Sequence, residues 1–255
     1  LEANTTADNN TSVGFESLNL NTTGASNTAL GRGALERNST ASNNTAVGYY
    51  ALIYNTTGAN NTGTGTQSLQ NNTTGSYNTS VGKGSLLANT TATGNTGLGY
   101  ATLITNTTGA KNVAVGYEAL FANTTASNNV ALGSYALAAN TTGGANTAIG
   151  SSSLGANTTA SNNVAVGHYA LLANTTGTGN TALGSLAGDA LTVGGFNTAI
   201  GHTALGADTK GKHSVAIGYG ALTSQNFTSL TNSLNVAIGN NSLYTNTTGA
   251  SNTGV

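Results

Sequence analysis

The chain has 255 residues and a formal net charge of -1, from six Lys plus Arg and seven Asp plus Glu. So few charges give no electrostatic footprint for phosphate backbones or anionic membranes, so we do not expect nucleic-acid binding. No apolar run approaches the roughly 20 residues that span a bilayer, so we expect no membrane insertion. Absence of Cys excludes disulfides and thiolate metal sites. Because the sequence begins with Leu1 and not with Met, and its last repeat is incomplete, we expect a piece of a longer protein.

A pentad of the type Asn-Thr-Ala-Val-Gly repeats along the whole chain. Its glycine recurs every 17 residues from Gly14 to Gly218 and once more, after 21 residues, at Gly239. A repeat this short cannot bury its own apolar face and must stack on its neighbours. The sequence therefore predicts a single repeat array over 1–255. Within it we expect regular coils over 1–184, irregular coils with an insert over 185–239 and a last partial coil over 240–255.

Each pentad places a β-branched, a small and a branched aliphatic residue before its glycine. This alternation predicts a short strand with two different faces. Leu follows four residues after the glycine in 13 of 14 copies, with Gly188 as the exception, and we expect a second strand or extended corner to carry it inward. The aliphatic residue and the Leu are expected to form two columns inside the coils. Because Gly, Asn and Thr are poor helix formers, the sequence favours an all-β parallel β-roll or β-solenoid of about fourteen coils.

Several pentads carry a family resemblance. Residues 213–218 read HSVAIG and residues 235–239 read NVAIG, and similar pentads end at Gly116 and Gly167. They resemble the SVAIG repeats in the YadA-like heads of trimeric autotransporter adhesins. The longer repeat containing Asn-Thr-Thr-Gly is similar to repeats of phage-type tail-fibre proteins. The resemblance implies a left-handed, homotrimeric β-roll that acts as an adhesive extracellular fibre on a cell surface or a virion.

The small residue two before the glycine bears on how chains associate. Small residues let backbones approach closely, so we expect this position at an interface between chains; the alternative is that it faces a narrow coil interior. The partners expected are two further copies of the chain or an end-to-end homopolymer, together with a host or matrix surface of protein or carbohydrate. No cofactor is expected.

The Asn-Thr-Thr segments supply a second candidate feature. They fit the Asn-x-Ser/Thr acceptor pattern, so they are possible glycosylation sites in a secreted protein. The alternative, which we favour, is a ladder of stacked Asn amides that hydrogen-bond from coil to coil. The twelve acceptor residues are Asn4, Asn21, Asn38, Asn55, Asn72, Asn89, Asn106, Asn123, Asn140, Asn157, Asn174 and Asn246.

Variable residues directly after the pentad glycine form a candidate recognition surface. Variable side chains on a constant scaffold are often used for recognition, and aromatic rings can stack on sugars or protein partners; packing without a ligand is the alternative. The residues are Tyr49, Tyr50, Tyr100, Tyr117, Tyr135, His168, Tyr169, His202 and Tyr219.

The irregular stretch supplies a candidate loop patch. Here Asn-Thr-Thr is lost and charges concentrate, so we expect a protruding loop that either binds a partner or is a tolerated surface irregularity. The residues of this patch are Asp208, Lys210, Lys212, His213 and Phe227.

No group of residues suggests enzyme chemistry, because the three His lack metal-like spacing and the acids are isolated. The sequence predicts a non-enzymatic extracellular fibre segment that gives adhesion or surface recognition. One alternative is an ice-binding β-solenoid that uses its Thr columns; another is a structural fibril that assembles itself.

Overall fold

The structure is a computed structural model that describes residues 1–255. It contains strands and turns but no helix, and hence none that could cross a membrane. The chain forms a parallel β-solenoid of about 14 turns with a 17-residue repeat, as the sequence predicts. It divides into two compact units, Leu1–Ser127 and Asn128–Val255. The predicted irregular stretch lies within the second unit.

The first unit contains seven parallel strands of three residues each. Each strand residue pairs with the residue 17 positions later, as Thr11 does with Thr28. This register stacks equivalent residues of successive repeats on one another throughout the unit. The strands are β1 (Thr11–Val13), β2 (Thr28–Leu30), β3 (Thr45–Val47), β4 (Thr62–Thr64), β5 (Thr79–Val81), β6 (Thr96–Leu98) and β7 (Val113–Val115).

The second unit repeats this arrangement and adds a small second sheet. Its strands are β8 (Val130–Leu132), β9 (Thr147–Ile149), β10 (Val164–Val166), β11 (Thr181–Leu183), β12 (Thr198–Ile200), β13 (Gly211–Lys212), β14 (Val215–Ile217), β15 (Thr231–Asn232), β16 (Val236–Ile238) and β17 (Thr253–Gly254). Strands β13 and β15 pair with each other in parallel, while the others follow the 17-residue register except where the insert lengthens the step between β14 and β16.

The core of each coil is narrower than the sequence analysis expected. In all but the terminal coils, Leu52 and the other Leu residues at its position are fully buried, and so is the small residue at the centre of the strand, such as Ala46. The aliphatic residue before the glycine lies outside: the exposed fraction is 56% for Val13, 48% for Leu30 and 48% for Leu183. Since successive strand residues point to opposite faces, an inward Ala forces its neighbours outward. Of the two interior columns that the sequence predicts, the Leu column is confirmed, and the column of aliphatic residues before the glycine is wrong.

The same finding corrects the expected role of the small residue. It does not lie at a surface where another chain could approach, because Ala29, Ala114 and Ala199 are at most 1% exposed. The alternative interpretation, a narrow coil interior, is the one that the structure shows. Any association through the sheet must use the larger side chains on either side of this residue.

The buried Leu is carried inward by a turn and not by the expected second strand. Leu35 and Leu103 both have φ of +51°, in the left-handed region that side chains other than Gly seldom adopt. Their neighbours also form turns, and the turn is held to the next coil, since Leu35 N donates to Ala51 O at 3.1 Å. Burial of the Leu and bonding between coils together stabilise this backbone conformation.

The pentad glycine is required by both conformation and space. At Gly99 φ is +136°, and a Cβ built there would lie 2.2 Å from the carbonyl oxygen of Gly116 in the next coil. No side chain fits so close an approach. The glycine column therefore fixes the distance between successive coils.

Candidate functional site

An asparagine ladder runs inside the coils of each unit, formed by the first residue of each Asn-Thr-Thr. Asn55 Nδ2 donates to Asn38 Oδ1 at 3.0 Å and to Gly58 O at 2.8 Å. The same bonds recur one coil on, where Asn72 donates to Asn55 at 2.8 Å. Each amide thus satisfies the carbonyl of its own turn and the amide of the preceding coil, as stacked polar ladders do.

The ladder excludes glycosylation at the predicted sites of the inner coils, whereas Asn4 is exposed and Asn246 is half-buried. An N-linked glycan is attached at Nδ2, which the ladder uses twice in each coil and which lies in the interior. The residues concerned are all fully buried: Asn55, Asn72, Asn89, Asn106, Asn123, Asn140, Asn157 and Asn174. The favoured alternative, a structural ladder, is what the geometry shows.

Two columns of Thr side chains lie outside the ladder, and only one of them is exposed to solvent. The first Thr of each pair bonds to the backbone of the next coil, as Thr56 Oγ1 does to Thr73 O at 3.0 Å. The second Thr is exposed in every regular coil, as at Thr57, Thr74 and Thr108. Each coil therefore presents one exposed Thr from the pair, and we call this column the threonine row.

An outer face is formed on each sheet by the two residues that flank the buried Ala. One column is Thr or Val, and the other is Val, Leu or Ile except at Thr64; none of these side chains is buried. Adjacent strands lie about 4.8 Å apart, so the aliphatic column is an almost continuous apolar stripe. Contiguous exposed apolar patches mark interaction sites in soluble proteins. The sequence analysis missed this face because it placed these residues in the core; the uniformly small central residue was the available signal.

Within each unit, residues of the predicted recognition surface form stacked pairs of rings. The rings of Tyr100 and Tyr117, one coil apart, lie 5.1 Å apart at 18°, and those of His202 and Tyr219 lie 5.6 Å apart at 8°. His168 packs on Tyr169 at 3.8 Å. Eight of the nine predicted residues are exposed and Tyr50 is half-buried. Because stacked rings cover each other's faces, many of these residues present ring edges to solvent.

In the first unit, a cation lies between aromatic rings of neighbouring coils. The guanidinium of Arg32 lies 5.5 Å from the ring centre of Phe15 and 6.0 Å from that of Tyr49. Tyr49 and Tyr50 have ring centres 3.9 Å apart, and hydrogen bonding to Tyr49 raises the pKa of Tyr50 above its ordinary value. The phenol therefore stays neutral, and the cation–π contacts hold these exposed side chains together.

The candidate loop patch separates into a buried and an exposed part. Asp208 occupies the ladder position and is fully buried. Its Oδ1 accepts from the backbone N of Gly211 at 3.0 Å and of Phe227 at 3.2 Å, and its Oδ2 accepts from Gln225 Nε2 at 2.6 Å. Phe227 is also buried. These two residues anchor the insert and are not available to a ligand.

The other part, in which His213 is exposed and Lys210 and Lys212 are half-buried, joins residues from three coils. Lys210 Nζ donates to Thr228 O at 3.1 Å, Lys212 pairs with Asn232 across β13 and β15, and the ring of His213 stacks on Phe196 at 5.4 Å and 6°. Phe196, Leu230 and Leu234, which the sequence analysis did not single out, have exposed fractions of 58%, 55% and 53%. The 17-residue separation of Phe196 and His213 was the signal that they would touch.

The structure contains no group of three or more His, Cys, Asp or Glu side chains that could hold a metal ion. Comparison of the chain with protein-family models, with curated proteins and with solved structures finds no match.

Proposed function

We propose that the chain is a non-enzymatic segment of an extracellular fibre, in which three copies associate through the outer faces of their sheets. The observation that carries this proposal is the aliphatic stripe on the outer face, which a rigid solenoid leaves exposed to solvent along each unit. Side chains such as Leu98 and Ile149 are held in place by the strand register, so no local rearrangement can bury them.

A second copy of the same chain is the occupant that fits this face best. The stripe has no charged residue, so it offers nothing to a charged ligand, and its 17-residue periodicity matches that of another copy in register. Burial of one aliphatic side chain contributes roughly 1.5–3 kcal/mol, and the stripe contains one in almost every coil. A homotrimeric, left-handed β-roll on a cell surface or virion is the assembly implied by the family resemblance.

Adhesion is the second part of the proposal. The exposed rings that follow several pentad glycines lie on turns and not on the strands of the outer face, so we expect them to stay accessible when the outer faces are covered. Repeated contacts on one rigid scaffold bind a surface tightly even when each contact is weak. A host or matrix surface is the partner that such a repeated display fits.

The test is the native mass of residues 1–255 by light scattering, where we expect three chains. The variant Leu98→Lys/Ile149→Lys places two charges on the outer face and should give monomers. The matched control Thr57→Lys/Thr108→Lys places the same charges on the threonine row and should keep the three-chain mass. A folded wild-type monomer would refute the trimer, and dissociation by the control alone would refute the outer face as its interface. Open-ended polymers would instead favour the structural fibril.

Ice binding is a second candidate, favoured by the regular spacing of exposed Thr in the threonine row. The same control variant tests it, because Thr57→Lys/Thr108→Lys interrupts that row. Inhibition of ice recrystallisation by the wild type that is lost in this variant would support the ice-binding function. Absence of inhibition by the wild type would eliminate it.

A further inference from the structure

The insert creates a surface that occurs once in the chain. We call it the basic–apolar surface and define it as Lys210, Lys212, His213, Phe196, Leu230 and Leu234. The hydrogen bonds that assemble it run between β13 and the insert: Thr231 N donates to Lys210 O at 3.4 Å, and Ser233 N donates to Lys212 O at 3.0 Å. The surface is therefore built on paired backbone, even though part of it belongs to an inserted loop.

Its charge is unusual for this chain. Two of the six Lys plus Arg residues of the protein lie here within three positions, with a His beside them. The Lys210 ammonium bonds to a carbonyl and not to a carboxylate. The acid of the same loop, Asp208, lies below the surface and is occupied by four hydrogen bonds from Lys210 N, Gly211 N, Phe227 N and Gln225 Nε2. The outer side of the loop thus presents two half-buried lysines and the exposed His213, while its one carboxylate is buried.

The remaining side chains of this surface suit a sugar. Leu230 and Leu234 are apolar and more than half exposed, and the imidazole of His213 extends the stack begun by Phe196. Around them the insert exposes small hydroxyl and amide side chains, at Asn226, Thr228 and Ser229. A pyranose has an apolar C–H face that packs on such residues and hydroxyls that bond to amides and hydroxyls. An acidic peptide would use the cations but has no comparable need for this polar fringe.

We propose that the basic–apolar surface binds an anionic polysaccharide, with the carboxylate or sulfate groups on Lys210 and Lys212 and the sugar rings against Phe196, His213, Leu230 and Leu234. This inference rests on the proposed adhesive function and gives it a ligand class and a site. Carboxylated and sulfated chains share the chemistry that the site recognises, so the experiment separates them.

The experiment measures binding of the native protein to immobilised heparin, polygalacturonate and poly-glutamate, with neutral dextran as the reference. We expect binding to at least one anionic chain and none to dextran, weakening as salt is raised because exposed charges are screened. In Lys210→Gln/Lys212→Gln the affinity should fall about tenfold for each lysine, as loss of a charge-assisted hydrogen bond implies. Phe196→Asn, which keeps a residue suited to the positive φ of this position, should also weaken binding.

Two matched controls keep the test specific. Lys83→Gln/Lys111→Gln removes two exposed lysines from the first unit and should leave binding unchanged. Lys210→Arg/Lys212→Arg retains the charges and should also retain most of the binding, which a merely unfolded loop would not do. Equal losses in both Lys→Gln pairs would show diffuse attraction and overturn the assignment of the site. Tighter binding of poly-glutamate than of either polysaccharide would overturn the ligand class.

The native mass of each sample separates this inference from the proposed function. A three-chain protein that binds no anionic polysaccharide would refute the site and leave the fibre assembly standing. A monomer that binds through Lys210 and Lys212 would refute the assembly and leave the site standing.

Discussion

A regular coil and the first irregular coil fill the same interior with different residues. In the coil that begins at Gly99, Leu103 fills the apolar part and Asn106 continues the asparagine ladder. In the coil that begins at Gly184, the Leu position is Gly188 and the Asn position is Leu191. A Cβ built on Gly188 would lie 3.1 Å from Leu191 Cδ1, so the Leu191 side chain reaches into the space that a Leu at 188 would occupy.

The exchange conserves the apolar volume but breaks the ladder. Asn174 Oδ1, which would accept from the next Asn, is buried without a hydrogen-bond partner. One coil later Asp208 occupies the ladder position, and Gln225 donates to it at 2.6 Å. The comparison teaches that the coil interior requires a fixed apolar volume, whereas its polar ladder tolerates an interruption and a change of residue type. The variants below test either the requirement for apolar volume or the tolerance of the polar ladder.

The largest effect is expected from Asn106→Asp in the regular ladder. The carboxylate would lose the two hydrogen bonds that Asn106 Nδ2 donates, to Asn89 Oδ1 and Gly109 O, and would place a charge against both oxygens. An uncompensated buried charge costs about 3–5 kcal/mol. Urea unfolding followed by circular dichroism should show this loss at neutral pH, with partial recovery in acid. Unchanged stability would mean that the ladder is not a structural requirement.

A smaller loss is expected from Leu191→Ala in the irregular coil. Removing a buried Leu side chain costs about 2–5 kcal/mol, depending on how far the site collapses. The double variant Gly188→Leu/Leu191→Asn restores the regular pattern, and the φ of +58° at Gly188 is close to that of the buried Leu residues. It should recover most of the lost stability and give Asn174 a partner. If the double variant unfolds as easily as Leu191→Ala, the inference that Leu191 replaces the missing Leu at position 188 is wrong.

The sequence could predict the repeat, the parallel strands and the asparagine ladder because each depends on periodicity alone. It could not decide which strand face is inside: Val and Leu are more apolar than Ala, yet only Ala fits so narrow a coil, and this requires the coil's diameter. The turn at Leu35 was missed because an inward Leu with positive φ leaves no compositional signal. Phe196 was left out of the candidate site although its 17-residue separation from His213 places the two residues one coil apart.

Asp208→Asn, in contrast to Asn106→Asp, introduces the regular residue into the irregular coil. Its new Nδ2 would oppose Gln225 Nε2, and Gln225 cannot turn its amide without losing the 2.7 Å bond from Asn235 Nδ2 to Oε1. A buried group left without a partner costs about 1–3 kcal/mol. Adding Gln225→Glu restores an acceptor and should recover part of the loss in the same unfolding experiment. Stabilisation by Asp208→Asn would instead show that the ladder prefers Asn in every coil.

The smallest effect is expected at Asp189, which lies on the surface side of the first irregular coil. Burial raises the pKa of this carboxyl, while its own backbone amide, that of Ala190 and the charge of His202 act in the opposite direction. The folded state therefore holds the proton more strongly than the unfolded state, so stability falls as pH rises through the ordinary Asp range. Asp189→Asn should stabilise the protein at neutral pH by no more than about 0.5 kcal/mol, and the gain should vanish below the ordinary pKa of Asp. Unfolding midpoints at neutral pH and in acid, compared with Glu16→Gln as an exposed control, decide it. A gain that persists in acid would contradict burial as the cause.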